Sequence, residues 1–400
     1  MTMNWQGLLV TWTLCALIWW LMAVLLVLVA NARRQPENHK SRSNPQTLTI
    51  FKPLAGPLSS SEFLHMSRCL ETFVADLDEH SELLIGCYEL DQTRWQEFIE
   101  GMCQSYPGAH LKLVTDPDPK HYAANPKISW MKKLVSHATG ELWYWSDADI
   151  EAPPGMLQSL RNDFASSEVQ LVTSPYTITN VPSAAALLDA LFVNLEFYPG
   201  VILLGKLNAI EFGFGSGMLF NAETFRQRVD LEFLGTCLAD DYHLGRLLQP
   251  AKLGSMRLST TPAAETWRGA VLHYLRWQKT IRWNRPGGFA AQLFVLPVIG
   301  WLIALCIMPT EAFVWWGLVA TLGLDFITVI VISHLLRCRI AIVWMPIIPL
   351  WTILRSVTWL ACWFPWPIIW RDRKWWSAYQ SLATDDMSVD NKPAGAKDVK

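Results

Sequence analysis

The sequence predicts an α/β domain held between membrane-embedded segments at both ends of a 400-residue chain. Between residues 48 and 174, short apolar runs alternate with segments of helical spacing, which is the pattern of a mainly parallel sheet covered by helices. Long apolar stretches flank this part, and hydrophobic residues make up 51% of the chain against 17% charged. Because soluble domains average about 25% charged residues, much of this chain faces something other than water.

The charge balance and the cysteines exclude two classes of protein. Lys and Arg number 33 against 35 Asp and Glu, for a net charge of −2. Such a chain has no global basic field, so we expect no nucleic-acid partner bound through phosphate neutralisation. The eight cysteines are scattered, with no Cys-x-x-Cys pair and no metal-ligand spacing. They are interpreted as reduced, packed thiols rather than a disulfide framework or a zinc site.

The first membrane segment is Leu8–Ala30, which has 23 residues and no charge. It is long enough to cross a hydrocarbon core of about 30 Å. A signal peptide is the rival interpretation, but such peptides have shorter apolar cores that follow a basic start. Here the basic residues come after the stretch, at Arg33, Arg34, Lys40 and Arg42. The positive-inside bias therefore predicts an anchor followed by a cytosolic domain over residues 31–288.

A second apolar block covers residues 289–376. We expect spans at about 289–308 and 312–336, joined by a short turn into a hairpin. The chain then returns to the cytosol at Arg337 and Arg339, in agreement with the positive-inside bias. The sequence thus predicts an integral membrane protein.

The remainder of the block is less regular. Asp325 lies in the middle of the second span, where an ionisable group is expected to face a neighbouring helix, and a packing role is favoured over catalysis. The segment 340–370 contains four prolines and a central Arg355. A straight span would bury that arginine, so a broken hairpin or an element in the membrane plane is expected instead. Residues 383–400 are polar and are predicted to be disordered.

The middle of the chain is expected to place functional side chains directly after its strands, because ligands bind beyond the carboxyl ends of parallel strands. Strands are predicted at residues 48–54, 82–87, 111–114, 142–145 and 169–174, with helices at 61–74, 93–105, 128–138 and 153–164. The stretch Ala186–Leu204 is too apolar for a plain surface helix. Either it lies in the membrane interface and guides a lipid to the site, or it belongs to the core.

Two carboxylates, Asp147 and Asp149, follow the aromatic strand Leu142–Trp145. An Asp-x-Asp pair alone is weak evidence, but this strand aims the pair at the ligand edge of the sheet. One or two carboxylates plus phosphate oxygens are the ligands that Mg²⁺ or Mn²⁺ prefers. The pair therefore predicts a divalent ion that neutralises a diphosphate leaving group. After the second strand come two further acids, Glu89 and Asp91.

A second acidic pair, Asp240 and Asp241, precedes a helical segment. Adjacent carboxylates repel, which raises one pKa towards that of a useful base. The alternative is a helix N-terminus that carries acids for its dipole. Further on, residues 273–283 form a basic, aromatic run directly before the second membrane block. On its own, this run is interpreted as a juxtamembrane anchor.

Taken in order, these motifs resemble the ceramide glucosyltransferase family and its bacterial relatives, which include hopanoid-modifying glycosyltransferases. The matching motifs are Leu48–Gly56, the acidic site after the second strand, Asn125–Ser129, Ser146–Ile150, Gly215–Leu219, Leu238–Tyr242 and an Arg-Trp motif. No single motif is specific for this family, but the set of seven motifs in this order, between membrane segments, is specific. The resemblance covers residues 8 to about 376. It implies a GT-A, Rossmann-like fold, inversion at the sugar carbon and a UDP-sugar donor.

The resemblance also implies which residues bind the nucleotide sugar. Glu89 takes the first acidic position, beside the uracil, where the family usually has Asp, and Asp91 competes for it. Asp147 and Asp149 correspond to the metal and diphosphate pair. Lys127 either contacts a phosphate or is a solvated cation at a helix start.

The Arg-Trp motif corresponds to Arg276 and Trp277. Its first position is His273 here, rather than the Gln of the wider processive family. Residues 278–283 form a second, offset copy, which makes Arg282 an alternative donor-binding residue.

The implied reaction is direct displacement. Asp241 corresponds to the catalytic base, with Asp240 as its neighbour, and takes the proton of a lipid hydroxyl as that oxygen attacks the anomeric carbon. A divalent ion on Asp149, together with Arg276, stabilises the departing nucleoside diphosphate. The resemblance thus implies transfer of glucose or N-acetylglucosamine to a ceramide-like or hopanoid lipid. The lack of an organelle signal and the compact size favour a bacterial inner membrane, and the positive-inside bias places the catalytic domain in the cytosol.

Two other functions compete with this one. A processive polysaccharide synthase is expected to carry more spans and an unambiguous Gln-x-x-Arg-Trp motif. A non-catalytic membrane scaffold with a decayed transferase domain is the third possibility. The joint presence of Asp147, Asp149, Asp241 and Arg276 argues against a scaffold.

Overall fold

The computed structural model describes residues 5–32, 46–54, 56–117, 122–165, 168–262, 266–370 and 373–381. Several sequence-based predictions lie outside these ranges, namely the tail at 383–400 and the basic residues Arg33, Arg34, Lys40, Arg42 and Arg371.

The secondary-structure elements alternate as the sequence predicts through the middle of the chain. The strands are β1 (Leu48–Pro53), β2 (Ser81–Tyr88), β3 (His110–Asp116), β4 (Leu142–Trp145), β5 (Ile150–Glu151), β6 (Leu171–Thr173), β7 (Tyr176–Ile178), β8 (Met218–Asn221), β9 (Ala251–Leu253), β10 (Leu258–Thr260), β11 (Ile368–Trp370) and β12 (Arg373–Trp375). The helices are α1 (Trp5–Ala32), α2 (Ser60–Val74), α3 (Gln92–Ser105), α4 (Pro126–Leu134), α5 (Met156–Ala165), α6 (Ala186–Leu191), α7 (Tyr198–Lys206), α8 (Ala222–Arg228), α9 (Leu231–Thr236), α10 (Asp240–Leu247), α11 (Trp267–Asn284), α12 (Pro286–Ala291), α13 (Val298–Ile307), α14 (Ala312–Leu336) and α15 (Ile347–Ala361).

The main sheet has seven strands within the described residues, in the order β3-β2-β1-β4-β8-β6-β9. β1 pairs in parallel with β2 and β4, and β2 pairs in parallel with β3. β8 runs antiparallel between β4 and β6. The predicted α/β class with a largely parallel sheet is confirmed, and the GT-A assignment stays a prediction.

Two hydrophobic clusters cover the two faces of this sheet. Ile50 and Tyr144 belong to the cluster that contains residues of α2, α3 and α5. Their neighbours Phe51 and Trp145 belong to the cluster that contains residues of α4, α8 and α10. Successive side chains of a strand point to opposite faces, so β1 and β4 are buried on both sides. This explains why they are almost continuously apolar.

The helix predicted to open at Pro153 begins later, at Met156. The cause is Gly155, whose φ of 78° lies in the left-handed region and therefore cannot continue a right-handed helix. Its N–H donates to Asp76 Oδ1 at 2.6 Å, which fixes a turn before α5.

Three helices in the described part of the chain are long and apolar enough to cross a membrane by length and composition: α1, α14 and the 21-residue helix Ala186–Lys206. The last consists of α6, a π-helical segment over Phe192–Phe197, and α7. Protein buries 72% of its most apolar part, against 28% for α1. Its apolar surface is therefore largely covered by α1, α11 and α14, with which it forms one hydrophobic cluster.

The span expected at 289–308 is not one straight helix. The helical segments Pro286–Val295 and Val298–Ile307 meet at an angle of 60°, as in a broken span or a re-entrant loop. Pro297 lies at the break, and proline lacks an N–H and restricts the residue before it. Leu296 accordingly leaves the helical region, with φ −118° and ψ 51°.

The segment 340–370 contains α15, whose 15 residues extend over about 22 Å, and the short strand β11. Its position relative to a bilayer stays a prediction. Arg355 of α15 is buried and lies 3.9 Å from Asp325 of α14. The mid-span acid thus has a partner in the next helix that the sequence pattern did not reveal.

The last part of the chain, from residue 368 onwards, packs against the α/β part. β11 and β12 form an antiparallel pair, and Arg373 donates to the carbonyl of Ala124 at 2.9 Å. The N–H of Leu238 donates to the carbonyl of Ala378 at 2.9 Å. Trp375 is buried in one cluster with Ala124 and Leu238. The C-terminal segment therefore contacts both loops that lead into α4 and α10.

Candidate active site

The turn after β4 carries the predicted metal pair at the carboxyl edge of the sheet. The N–H of Ser146 donates to the carbonyl of Phe51 on β1 at 3.3 Å. The N–H of Asp147 donates to the carbonyl of Gly215 at 2.9 Å. The backbone of the turn is thus fixed by β1 and by the loop before β8.

Lys127 connects two of the acidic positions. Its N–H donates to Asn125 Oδ1 at 2.9 Å, which begins α4. Its Nζ lies 2.6 Å from Asp147 Oδ1 and 3.5 Å from Asp240 Oδ2. Burial lowers the pKa of Lys127, but Asp147, Asp240 and Asp241 outweigh burial and raise the pKa above its usual value. Lys127 is therefore a charged bridge between two acids rather than a solvated cation.

Asp240 is occupied by contacts within the protein. It is 6% exposed, and its Oδ1 accepts a hydrogen bond from Asn125 Nδ2 at 3.0 Å. The same amide group donates to the carbonyl of Cys237 at 2.9 Å. Asp240 thus joins the starts of α4 and α10, with Lys127 beside it.

Asp241 differs from its neighbour in both contacts and acidity. Its Oδ2 accepts from the N–H of Gly215 at 2.8 Å, and its Oδ1 accepts from the N–H of Tyr242 at 2.8 Å. Burial and then the charge of Asp240 raise the pKa of Asp241, Lys127 lowers it, and the result is about 6. A carboxylate with a pKa near the working pH suits general-base catalysis.

Asp149, the second member of the predicted metal pair, is half-buried. Burial, followed by the charge of Asp147, raises the pKa of Asp149, whereas His65 and Lys52 lower it. Its backbone carbonyl accepts from the hydroxyl of Thr260 on β10 at 2.9 Å. The charges of Asp147 and Asp149 repel each other, and a bound cation would offset this repulsion.

Lys52 is a supporting residue to which the sequence interpretation gave no role. It is fully buried near the end of β1, and its Nζ donates to Ser146 Oγ at 2.9 Å and to the carbonyl of Asp147 at 2.8 Å. Burial lowers the pKa of Lys52 to about 7. The sequence does contain a signal for this residue, namely a single lysine inside an apolar strand. Burying a lysine is unfavourable unless its amino group is hydrogen-bonded, so its position predicts polar partners.

The two candidates after β2 have different surroundings. Asp91 is 5% exposed, and its Oδ2 accepts from the N–H of Leu58 at 3.0 Å. Its Oδ1 lies 3.6 Å from Arg94. Glu89 is exposed at the same edge of the sheet. Asp91 thus holds the loop after β1, and the assignment of Glu89 to the nucleotide base stays a prediction.

Of the candidates on α11, the two arginines lie beside tryptophans of the C-terminal part, and Trp277 packs elsewhere. The Arg276 guanidinium lies 5.8 Å from the ring of Trp370 on β11. The Arg282 guanidinium lies 5.0 Å from the ring of Trp363. Trp277 stacks on Phe192 with ring centroids 4.8 Å apart. The structure therefore joins Lys127, Asp147 and Asp240 through direct contacts and links Asp241 to Asp147 through Gly215, whereas Trp277 and Arg282 pack against other elements.

The profile described as glycosyl transferase family 21 matches residues 8–379. The chain belongs to glycosyl transferase family 21. It is therefore a glycosyltransferase, which agrees with the family resemblance carried by its motifs. No match to a curated protein is found.

Among solved structures, the transferase is similar to the mannosyltransferase PcManGT from Pyrobaculum calidifontis in complex with GDP-Man and Mn²⁺, at 15% identity and a TM-score of 0.44, covering 87% of this chain and 99% of that one. It is also similar to GalNAc-T7 with UDP, GalNAc and Mn²⁺, at 10% identity and a TM-score of 0.41, covering 65% of this chain and 56% of that one.

The acidic edge of the transferase fits a divalent ion shared with a substrate. No group of three or more His, Cys, Asp or Glu side chains among the described residues could hold a metal alone. Two carboxylates on one turn, Asp147 and Asp149, match the way Mg²⁺ binds through one or two carboxylates plus phosphates. In this structure, the Lys127 amino group is the positive charge that contacts Asp147.

Lys52→Met should lower kcat/KM of the transferase by about 10–100-fold, the usual range for residues that orient metal ligands. Met keeps most of the buried stem beside Phe73 but loses both hydrogen bonds that hold the Asp147 turn. Removing a buried charge offsets much of the loss in stability, so the unfolding temperature should change little. Lys112→Met, at an exposed position of β3, is the matched control for steady-state kinetics and thermal unfolding. Equal activity of both variants would contradict this role.

Proposed function

We propose that this glycosyltransferase moves a hexose, glucose or N-acetylglucosamine, from a UDP-sugar to a hydroxyl of a membrane lipid of the ceramide or hopanoid type, with inversion at the anomeric carbon. The observation that carries the proposal is the environment of Asp241. It is a half-buried carboxylate with a pKa of about 6, linked through Gly215 to the turn that bears Asp147.

The proposed reaction is a single displacement. Asp241 takes the proton of the lipid hydroxyl while that oxygen forms a bond to the anomeric carbon. The bond between this carbon and the β-phosphate oxygen breaks at the same time, and UDP leaves with the electron pair. Arg276 is assigned to the leaving diphosphate by the family resemblance. Asp240 keeps its contacts with Asn125 and Lys127 and raises the pKa of the base.

Asp147 and Asp149 would hold the Mg²⁺ or Mn²⁺ ion, which supplies positive charge to the donor diphosphate when bound. Lys127 fixes the Asp147 carboxylate from the side of α4. Glu89, exposed after β2, is the residue we assign to the uracil, and Asp91 supports it by fixing the loop after β1. Arg282 is retained as the alternative donor-binding arginine.

The membrane part supports a lipid as the acceptor. The helix Ala186–Lys206 packs with α1 and α14 in one cluster that also contains Tyr274 and Trp277 of α11. The apolar helices thus pack directly against α11, the helix that carries the Arg-Trp motif. We infer that the α/β domain lies in the cytosol, because basic residues follow the anchor, and that the membrane is a bacterial inner membrane, as in the bacterial relatives that the motifs resemble.

The test is UDP release from UDP-glucose and UDP-N-acetylglucosamine by the full-length protein in lipid bilayers, with ceramide or hopanoid as the acceptor and with Mg²⁺, Mn²⁺ or EDTA. Mass spectrometry of the extracted lipids should show one hexose added per acceptor. An insoluble polymer would instead identify a polysaccharide synthase. The absence of UDP release with every donor, acceptor and metal would reject the proposal.

The pH dependence follows from the acidity of Asp241. A base works only when deprotonated, so kcat/KM should rise as the pH increases through about 6 and then level off. Asp240→Asn keeps an oxygen that accepts from Asn125 but removes the charge that raises the pKa of Asp241. This variant should therefore shift the midpoint of the profile to lower pH. A midpoint that stays in place would show that a different group controls the profile.

A further inference from the structure

Tyr176, the first residue of β7, lies beside the loop that holds the proposed base. Two residues earlier, the N–H of Ser174 donates to the carbonyl of Gly217 at 2.8 Å. The carbonyl of Ser174 accepts from the hydroxyl of Ser216 at 2.7 Å. The same loop contains Gly215, whose N–H binds the carboxylate of the base. The segment that leads into β7 is therefore fixed on the loop that binds the base.

A row of aromatic rings extends this contact to the Tyr176 side chain. The Tyr176 ring lies 5.0 Å from the Phe197 ring, and the Phe197 ring lies 5.1 Å from the Phe214 ring, between centroids. Phe214 directly precedes Gly215 and is buried, whereas Tyr176 is half-buried. In the part of the chain that the structure describes, the Tyr176 hydroxyl has no hydrogen-bond partner and is not among the buried unpaired polar atoms. This hydroxyl is therefore open to solvent and available to a ligand.

The other neighbours of β7 connect it to the turn that bears the predicted metal pair. Strands β5, β10 and β7 form one sheet with β10 in the middle, and Tyr176 pairs with Leu258 of β10. Thr260, at the end of β10, donates to the carbonyl of Asp149 at 2.9 Å. The next residue, Ile150, begins β5. Strand β7 thus belongs to the same sheet as the strand that follows the Asp-x-Asp pair.

The charges of both groups act on Tyr176. Burial, followed by the carboxylates of Asp149, Asp147 and Asp241, raises the pKa of Tyr176 above its usual value, so the phenol stays protonated at neutral pH. Because charge interactions weaken with distance and with screening, Tyr176 lies near both the metal pair and the base. Its hydroxyl is therefore a neutral hydrogen-bond donor between these two groups.

The proposed reaction places the hexose in the same space. The diphosphate of the donor lies on the side of Asp147 and Asp149, and the attacking oxygen gives its proton to Asp241. The anomeric carbon is bonded to the β-phosphate oxygen and is attacked by the acceptor oxygen, so the sugar ring lies between the metal pair and the base. Tyr176 is near both groups and is therefore beside the sugar.

We propose that Tyr176 binds the transferred hexose of the nucleotide sugar, with its ring against the sugar ring and its hydroxyl donating to a sugar oxygen. A hexose has an apolar C–H face and a polar rim, and tyrosine likewise combines an apolar ring with a polar end. This inference rests on the proposed function, because it names a residue that contacts the donor sugar in the same reaction.

Dissociation constants separate a contact with the sugar from a contact with the diphosphate. Calorimetric titration of the full-length protein in lipid nanodiscs, with Mn²⁺ and without an acceptor, measures the Kd for UDP-glucose, UDP-N-acetylglucosamine and UDP. Tyr176→Phe keeps the ring contact with Phe197 and removes only the hydroxyl. Its Kd for the UDP-sugar that the wild type transfers should rise about three- to tenfold, the effect of one lost hydrogen bond, with the Kd for UDP unchanged.

A second variant and a matched control complete the test. Tyr176→Leu also removes the ring and should raise the Kd for the same UDP-sugar about 10–100-fold, again with the Kd for UDP unchanged. Tyr106→Phe is the control, because Tyr106 is also half-buried but follows α3, which ends at the opposite edge of the sheet. Both dissociation constants of the control should equal the wild-type values.

The outcomes separate this inference from the proposed function. An equal rise of both dissociation constants in Tyr176→Phe would show that Tyr176 supports the diphosphate end, and no rise in either would show that it does not bind the donor. Each of these results overturns the inference alone, provided that the wild type transfers a hexose. If the wild type transfers no hexose from either UDP-sugar, the proposed function itself is wrong. Thermal unfolding identifies a variant that fails to fold, and the nearly isosteric Tyr176→Phe decides if Tyr176→Leu is one.

Discussion

Asp241→Asn is expected to lower kcat by about 10²–10⁴-fold, the usual effect of removing a general base. The interaction that is lost exists only in the transition state, so the KM for the UDP-sugar should change little. The change is nearly isosteric, and the amide oxygen can still accept from one of the two backbone N–H groups, of Gly215 or Tyr242. Steady-state UDP release with the donor and acceptor varied separately measures both constants.

Asp240→Asn is the matched control, because it makes the same chemical change one residue earlier. Asp240 is buried against Asn125 and Lys127, so we expect a far smaller loss of kcat at a pH well above 6. A larger loss in Asp240→Asn than in Asp241→Asn would move the base to Asp240 and shift the assignment of this motif by one residue.

Asp149→Ala is expected to lower turnover in Mg²⁺ or Mn²⁺ by about 10²–10³-fold, since a bound ion supplies several kcal/mol of charge stabilisation. Titrating each metal against UDP release checks this result. Near-normal turnover of the variant in Mg²⁺ would show that the metal assignment is wrong. Glu151→Ala is the matched control, because it removes a carboxylate from β5 two residues away, at a side chain that contacts Ser259.

Asp149→Ala should also leave the fold intact. Burial raises the pKa of Asp149, so the folded state binds its proton more tightly than the unfolded state does. With such an acid, the folding stability of the protein falls as the pH rises from the pKa of Asp149 in the unfolded state to its pKa in the folded state. At neutral pH the charge of Asp149 therefore destabilises the folded protein. Ala removes that charge, so the unfolding temperature at neutral pH should stay the same or rise. A clear fall would indicate that Asp149 stabilises the turn.

The sequence pattern was sufficient where the signal is local. Alternation of apolar strands with helices identified β1 to β4 and the helices between them, because their periods differ and their ends carry turn residues. It failed at Pro153, where the conformation of Gly155 decides the start of α5. It also treated 289–308 as a straight span, although a single proline, Pro297, divides it.

The candidate site shows the same limit at longer range. The Asp-x-Asp pair and Asp241 stand out by position, but the partners of Lys127 depend on how α4 and α10 approach each other. No periodicity encodes a contact such as that between Asn125 and Asp240, which are 115 residues apart. The pairing of Asp325 with Arg355 was missed for the same reason, since each residue lies on a different helix.

The packing of the C-terminal residues 368–381 against the α/β part limits where the chain can be truncated. A fragment that ends at residue 288 would leave the carbonyl of Ala124 without Arg373 and the N–H of Leu238 without its partner at Ala378. It would also expose the surface that Trp375 covers. These groups adjoin Asn125 and Asp240, so the loss falls on the two loops that hold the acidic cluster. Residues 373–378 therefore support the α/β part, and excision of the α/β part alone removes that support from the site it contains.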